Sequence, residues 1–236
     1  MHALIIHAHP EPESFNAALT RAASETLRAA GHSVEISDLY AEGFNPVAGP
    51  HDFLNRLDAT RFHYQAEQYH AATHSGFATD LAREQARLLA ADLLILQFPL
   101  WWGSMPAILK GWIDRVLAYG FAYVDGSRFE TGVFKDKHAL LGITTGGTAE
   151  RFSSTGAYGE IDTVLRPVQH LVLRYMGFQL HDPFLAYAAP RIDEAGRARY
   201  LQQWSDRVMT AIESISTPSS KAALQHTGGR DWRSAG

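Results

Sequence analysis

Three short segments carry residues whose types and spacing could do chemistry. The first is Gln97-Phe98-Pro99-Leu100-Trp101-Trp102-Gly103-Ser104-Met105-Pro106-Ala107. It follows the apolar run Leu93-Leu94-Ile95-Leu96 and precedes a helical pattern from Ile108 to Val116, so two adjacent tryptophans sit on the loop leaving the carboxyl end of a strand. Open α/β sheets bind ligands at that edge, and a flat, apolar, aromatic-lined loop suits a planar ring better than a bare phosphate. Two neighbouring indoles do not easily face one core, so at least one is expected to line a pocket or an interface. The second segment is Thr144-Thr145-Gly146-Gly147-Thr148. Paired glycines let backbone N–H groups approach a ligand and could hold an anionic ring edge; a simple tight turn has the same signature. The third, His7-Ala8-His9-Pro10-Glu11-Pro12-Glu13-Ser14-Phe15-Asn16, has neither a G-x-G-x-x-G nor a Walker pattern. It still joins a strand to a helix start, where Ser14 and Asn16 can cap and free amides attract anions. An ordinary capped helix fits the same residues.

Other polar residues are weaker candidates. His70 and His74 have the i, i+4 spacing of a helical metal pair, but no acidic third ligand stands nearby, so no metal is expected. His2 and His7 read as packed or hydrogen-bonded sheet residues, and Asp92 as a strand-start residue.

The elements that must position these loops alternate between two periodicities. Ala3–Ala8, Ser33–Asp38, Leu93–Phe98, Ala139–Thr144 and Gln179–Ala188 read as strands. Helices are expected from Ser14 to Gly31, Thr79 to Ala90, Ile108 to Ala118, Ile161 to Met176 with a kink at Pro167, and Glu194 to Ile215. This predicts an α/β fold: a doubly wound, five-stranded parallel sheet in a three-layer α/β/α arrangement, with the flavodoxin-like order 2-1-3-4-5. Residues 1–215 are expected to form a single domain, with insertions near 41–78 (one helix near Glu67–Thr73) and 120–137; 216–236 reads as a polar tail. All three candidate loops then fall at one edge of one sheet.

Composition removes several function classes. The 236 residues are 46% hydrophobic and 19% charged with a formal charge of −4, enough for one large core and without the basic footprint of a nucleic-acid binder. No apolar stretch is long enough to span a bilayer, and Met1 leads into strand-like residues without a signal-peptide pattern, so the cytoplasm is the expected compartment. The chain has no cysteine, which removes disulfides, thiolate-held iron–sulfur clusters and dithiol chemistry. If it moves electrons, a bound organic cofactor must carry them.

Together, Ala3-Leu4-Ile5-Ile6 with His9, Ser14-Phe15-Asn16, Ser37-Asp38-Leu39-Tyr40, Phe44-Asn45-Pro46, Gln97-Phe98-Pro99-Leu100, Pro106 to Trp112, Phe121-Ala122-Tyr123 and Ile143 to Gly147 resemble the NAD(P)H:quinone oxidoreductases of the DT-diaphorase type, over most of the chain to about Trp204. The resemblance implies a flavodoxin-like flavoprotein that binds FAD rather than FMN, takes NAD(P)H as co-substrate, and works as a homodimer with sites at the interface. It implies that His9, Ser14, Phe15 and Asn16 hold the pyrophosphate region. Pro99, Leu100, Trp101, Trp102 and Gly103 would lie along the isoalloxazine ring, and Thr144, Thr145, Gly146 and Gly147 around its pyrimidine edge. Phe152 would stand beside the flavin, and Arg197 near the adenosine end. Tyr123 would reach across the dimer to cover the partner's flavin, and Tyr123, Asp125, Trp102 and Tyr158 would meet the substrate.

This chain departs from the family pattern at several points. A tyrosine and a histidine that usually follow the T-T-G-G loop are Phe152 and Tyr158 here. Phe152 donates no hydrogen bond, whereas Tyr158 can. Asp125 replaces a second interfacial tyrosine, Gly103 a bulky aromatic and His63 a usual glutamine. The implied reaction is two-electron reduction of a quinone by ping-pong hydride transfer. Backbone amides of Thr145, Gly146 and Gly147 would stabilise developing charge, and Tyr158 would be the nearest polar donor. Three alternatives remain: a flavin-bound ancillary subunit of a potassium-efflux-type transporter or an electron carrier, an azo- or nitro-compound reductase, and a flavin-free interaction module.

Overall fold

The computed structural model describes residues 1–215; the expected tail at 216–236 lies outside them. Six β-segments form one parallel sheet, five of them in the order β2-β1-β3-β4-β5 and β6 also paired to β4. They are β1 (His2–His7), β2 (Ser33–Asp38), β3 (Leu93–Pro99), β4 (His138–Thr144), β5 (Gln179–Leu180) and β6 (Phe184–Ala186). β3 and β4 are buried along almost their whole length, as expected of central parallel strands covered on both faces.

The fifth strand is two pieces rather than the continuous run expected. Ala139 pairs with Leu180 but Gly142 pairs with Phe184, so one extra residue is accommodated between them. Pro183 lies in that gap and has no N–H to give the ladder. The helix expected at 161–176 is α5 (Ile161–Arg166) followed directly by a π-helical segment, Pro167–Arg174. Pro167 keeps helical angles but removes one donor, and the chain continues from it in wider, π-type turns.

α1 (Phe15–Ala29) and α6 (Glu194–Ser214) cover one face of the sheet; the Trp204 Nε1–H donates to the Leu19 carbonyl at 2.9 Å and locks them together. The other face carries α3 (Thr79–Ala90) and α4 (Ala107–Val116). Buried Glu84 ties β2, α3 and α4, accepting from Ser37 Oγ and Trp112 Nε1 at 2.8 Å each and from Arg87 at 2.6 Å.

The insertion after β2 contains α2 (Tyr64–His74), longer than the helix expected there. Arg115 on α4 anchors the segment before it. Its buried guanidinium meets Asp52 at 2.8 Å and Asp80 at 3.1 Å, donates to the Asn45 carbonyl, and lies over the Phe44 ring. Gly111 lets this segment close in, because a Cβ there would collide with the Pro46 backbone. Asp92 accepts from the His2 amide, and His7 Nδ1 is 2.8 Å from Thr20 Oγ1. Among the described residues no group of three or more His, Cys, Asp or Glu could hold a metal; the His70 and His74 rings simply lie together, 4.3 Å apart.

Candidate active site

Parallel strands bring the loops after β1, β3 and β4 to one edge, where a cavity of about 470 Å³ opens. That size is within the usual range for small-molecule sites. From the first loop and α1 it is lined by His9, Ser14, Phe15 and Asn16; from the loop after β3 by Pro99, Leu100, Trp101 and Trp102. Thr144, Thr145 and Gly146 complete the floor, and Arg197 with Ala189 and Pro190 closes the far wall. Gly103, Gly147 and Phe152 are not part of this lining. Ala189 and Pro190 carry no sequence signal that would single them out; they arrive because Ala189 N–H bonds to the Thr145 carbonyl at 2.9 Å.

Each wall has a local cause. Ser14 caps α1, its hydroxyl accepting from Ala17 N–H at 3.1 Å. The amides of Phe15 and Asn16 meet no protein acceptor among the described residues, which leaves the positive end of a fifteen-residue helix facing the cavity. The Arg197 guanidinium stacks on the Phe15 ring, 5.5 Å from its centroid, and among the described residues no carboxylate lines the cavity.

The tryptophan loop is a tight hairpin. Trp101 and Ser104 exchange N–H···O bonds of 2.9 and 3.0 Å, with Trp102 at φ 52° and Gly103 at φ 71°. Left-handed backbone at both central residues is the twist-matched geometry of two-residue turns. Gly103 adopts it without cost; Trp102 does not, at about 1 kcal/mol or more. The turn holds Trp101 half-exposed beside His9 and leaves the Trp102 indole fully in solvent.

A buried hydrogen-bond chain sets the floor. Gln97 Nε2 donates to Asn16 Oδ1 at 3.0 Å, and Asn16 Nδ2 donates to Thr144 Oγ1 at 2.8 Å. Thr144 therefore keeps its own hydroxyl proton free for the cavity. The Thr145 hydroxyl donates to the Gly147 carbonyl at 2.7 Å, while the Gly146 and Gly147 N–H groups meet no protein acceptor among the described residues. Thus the turn presents a pair of unengaged amides. The two glycines differ in surroundings: a Cβ on Gly146 would stand in open space, whereas one on Gly147 would strike the Phe152 and Tyr158 rings.

Tyr158, half-exposed, packs on Phe152 at 5.2 Å and accepts from Arg151 Nη1 at 2.9 Å. Tyr123 is elsewhere. It lines a second cavity of about 680 Å³ with Tyr64, Gln65, Ile113 and Tyr175, and burial raises its hydroxyl pKa. Asp125 faces Tyr119, whose hydroxyl is pushed up to about 12 by burial and by its hydrogen bond to that carboxylate. His63 caps α2, with its Nδ1 accepting from Ala66 N–H. Among the described residues, no helix is long and apolar enough to cross a membrane.

The comparisons agree with this geometry. A family profile described as a flavodoxin-like fold matches residues 1–208. The chain is 42% identical over 212 residues to NAD(P)H dehydrogenase [quinone] 1 of Rattus norvegicus, covering 89% of this chain and 77% of that protein. It is 41% identical to ribosyldihydronicotinamide dehydrogenase [quinone] of Homo sapiens, covering 91% and 94%. A solved structure described as a putative quinone reductase from Klebsiella pneumoniae superposes with a TM-score of 0.87 at 40% identity, covering 89% of this chain and 84% of that one. The chain belongs to the flavodoxin-like NAD(P)H:quinone oxidoreductase family.

Proposed function

We propose that this protein is an NAD(P)H-dependent quinone reductase that carries FAD, with residues 1–215 acting as one flavin-binding domain. The observation that carries the reading is the lining of the 470 Å³ cavity. It joins a free helix N-terminus, a permanent cation, an aromatic shelf and the unengaged Gly146 amide, with the Gly147 amide next in the chain. This donor set fits a flavin: helix-start amides for the phosphates, Arg197 for the adenosine side, indole and leucine for the ring, turn amides for its electron-rich edge. Held there, a flavin would supply the hydride-transfer chemistry between a reduced nicotinamide and a quinone.

The protein's own part is to bind, orient and polarise. His9, Ser14, Phe15 and Asn16 hold the pyrophosphate, and Arg197 favours FAD over FMN by reaching the adenosine side. Pro99, Leu100, Trp101, Trp102 and Gly103 flank the ring. Thr144, Thr145, Gly146 and Gly147 surround its polar edge, beside Phe152. The N–H groups of Gly146 and Gly147 oppose developing negative charge without rearranging; the Thr145 N–H, expected to join them, is taken by the Ala186 carbonyl at 3.0 Å. Tyr158 supplies a hydroxyl donor to the reacting edge.

The protein acts as a homodimer, with Tyr123 and Asp125 serving the site of a second copy. That assignment accounts for their distance from the cavity within one chain. It works in the cytoplasm, where reduced nicotinamide nucleotides are available. The quinone reductases reported above do not favour the reading as an ancillary transporter subunit.

Anaerobic titration of the purified protein with NADH, NADPH and dihydronicotinamide riboside, followed by a panel of quinones, tests the reading. The expected result is bleaching of a yellow chromophore and its return on adding quinone. Protein that stays colourless after soaking in excess FAD or FMN would overturn it.

A further inference from the structure

The loop from Ala149 to Gly159 closes on itself at one pair of residues. Arg151 Nη1 donates to the Tyr158 hydroxyl at 2.9 Å, the Tyr158 N–H donates to the Arg151 carbonyl at 2.9 Å, and the guanidinium carbon lies 5.7 Å from the phenol centroid. The phenol ring rests against Gly147, beside the two unengaged amides of the glycine turn.

Two consequences follow from hydrogen-bond chemistry. With one lone pair of the Tyr158 oxygen taken by a cationic donor, its O–H is directed outward as a polarised donor. The other guanidinium N–H groups of Arg151 meet no protein acceptor, and Arg151 is in no ion pair, among the described residues. Its neighbour Glu150 is engaged instead with Thr148, whose hydroxyl holds that carboxyl below its ordinary pKa. An uncompensated planar cation therefore stands beside a phenol donor that packs on Gly147; neither residue lines the cavity, but Gly147 adjoins its lining residue Gly146, and among the described residues that lining includes no carboxylate. A second guanidinium, that of Arg191, donates to the Gly146 carbonyl on the other side of the turn.

We propose that Arg151 is a positioning and specificity residue of the acceptor slot. It orients the Tyr158 hydroxyl as a donor and selects acceptors bearing an anionic group, such as a carboxylated or sulfonated quinone. The proposal rests on the reductase reading. The phenol would meet the quinone oxygen, and the guanidinium fork the carboxylate or sulfonate, a geometry that Arg provides and Lys does not.

The test compares kcat/KM for 1,4-naphthoquinone and its 2-sulfonate in the wild type, Arg151→Met and Arg151→Lys. Arg151→Met should lower the sulfonate-to-neutral ratio about tenfold, and Arg151→Lys should restore part of it. Raising salt from about 20 to about 300 mM should compress the wild-type ratio and leave that of Arg151→Met flat. A ratio unchanged in Arg151→Met and insensitive to salt in the wild type overturns the proposal. So does a shift confined to the NADPH-to-NADH ratio, which would put the cation on the donor nucleotide. Wild type that reduces both quinones with no effect at Arg151 leaves the reductase reading standing, whereas wild type that reduces neither overturns both.

Discussion

The side-chain carbonyl of Gln97 occupies the space that a Cβ on Gly142, its cross-strand partner, would fill. That oxygen is fully buried and has no hydrogen-bond partner among the described residues, while the amide nitrogen of the same side chain holds Asn16. Glycine at 142 is thus what admits the Gln97–Asn16–Thr144 chain to the core. Gly142→Ala should displace Gln97, cost about 1–3 kcal/mol by overpacking, and lower the Tm by several degrees. In the double variant Gly142→Ala/Gln97→Met the losses should not add. Additive melting shifts in a thermal-denaturation series would remove the coupling.

The two turn glycines should fail differently. Gly146→Val puts its side chain where nothing stands in the protein, so the fold should survive and the flavin should be lost. Gly147→Val drives into Phe152 and Tyr158 and should cost about 1–3 kcal/mol of stability as well. The ratio of visible to ultraviolet absorbance, measured beside the Tm, separates the two. A fully yellow Gly146→Val protein would contradict the assignment.

Tyr158→Phe removes the outward hydroxyl and leaves the ring packed on Phe152 and Gly147. Turnover should fall about tenfold or more, the low end of general-acid and oxyanion effects. Steady-state kcat with a neutral quinone is the measurement, and unchanged turnover would take Tyr158 out of the reaction.

Arg197→Ala should weaken FAD about tenfold and FMN hardly at all, because the guanidinium, held on the Phe15 ring, is assigned to the adenosine side that FMN lacks. Equilibrium dialysis with both cofactors reads the difference. Equal losses would argue that Arg197 only supports the fold.

Stability should fall in mild acid. Burial lowers the pKa of His7, and likewise of His138 and His181, whose rings stack with Nδ1 of one 3.1 Å from Nε2 of the other. Each folded-state pKa lies below the ordinary 6.5, so the unfolded chain binds more protons as pH drops below that value and the native state loses ground. Nothing is lost above about pH 7 from these groups. Melting scans from about pH 7.5 to about 5 should show a falling Tm, with a shallower slope in His181→Gln. An identical slope in that variant would exclude the pair as the cause.

Much of this protein is local in origin. The apolar runs of β1, β3 and β4, the Ser14 cap, the amphipathic helices and the Gly146–Gly147 turn follow from residue type and period. Parallel strands then oblige the loops after β1, β3 and β4 to share one edge, so most of the cavity lining was legible before any contact was known. Other features depend on contacts between distant segments. Register alone sets Gln97 against Gly142, and side-chain crowding alone distinguishes Gly146 from Gly147. The split at Pro183 and the π-helical turn after Pro167 reflect how missing backbone donors are absorbed, which periodicity does not encode. Likewise Arg151 carries no signal in the sequence, and only the closure of its loop sets its guanidinium on Tyr158, which the family resemblance singles out. Propensity and pattern act over a few residues, whereas the chemistry of this cavity depends on which side chains the finished packing leaves unpartnered.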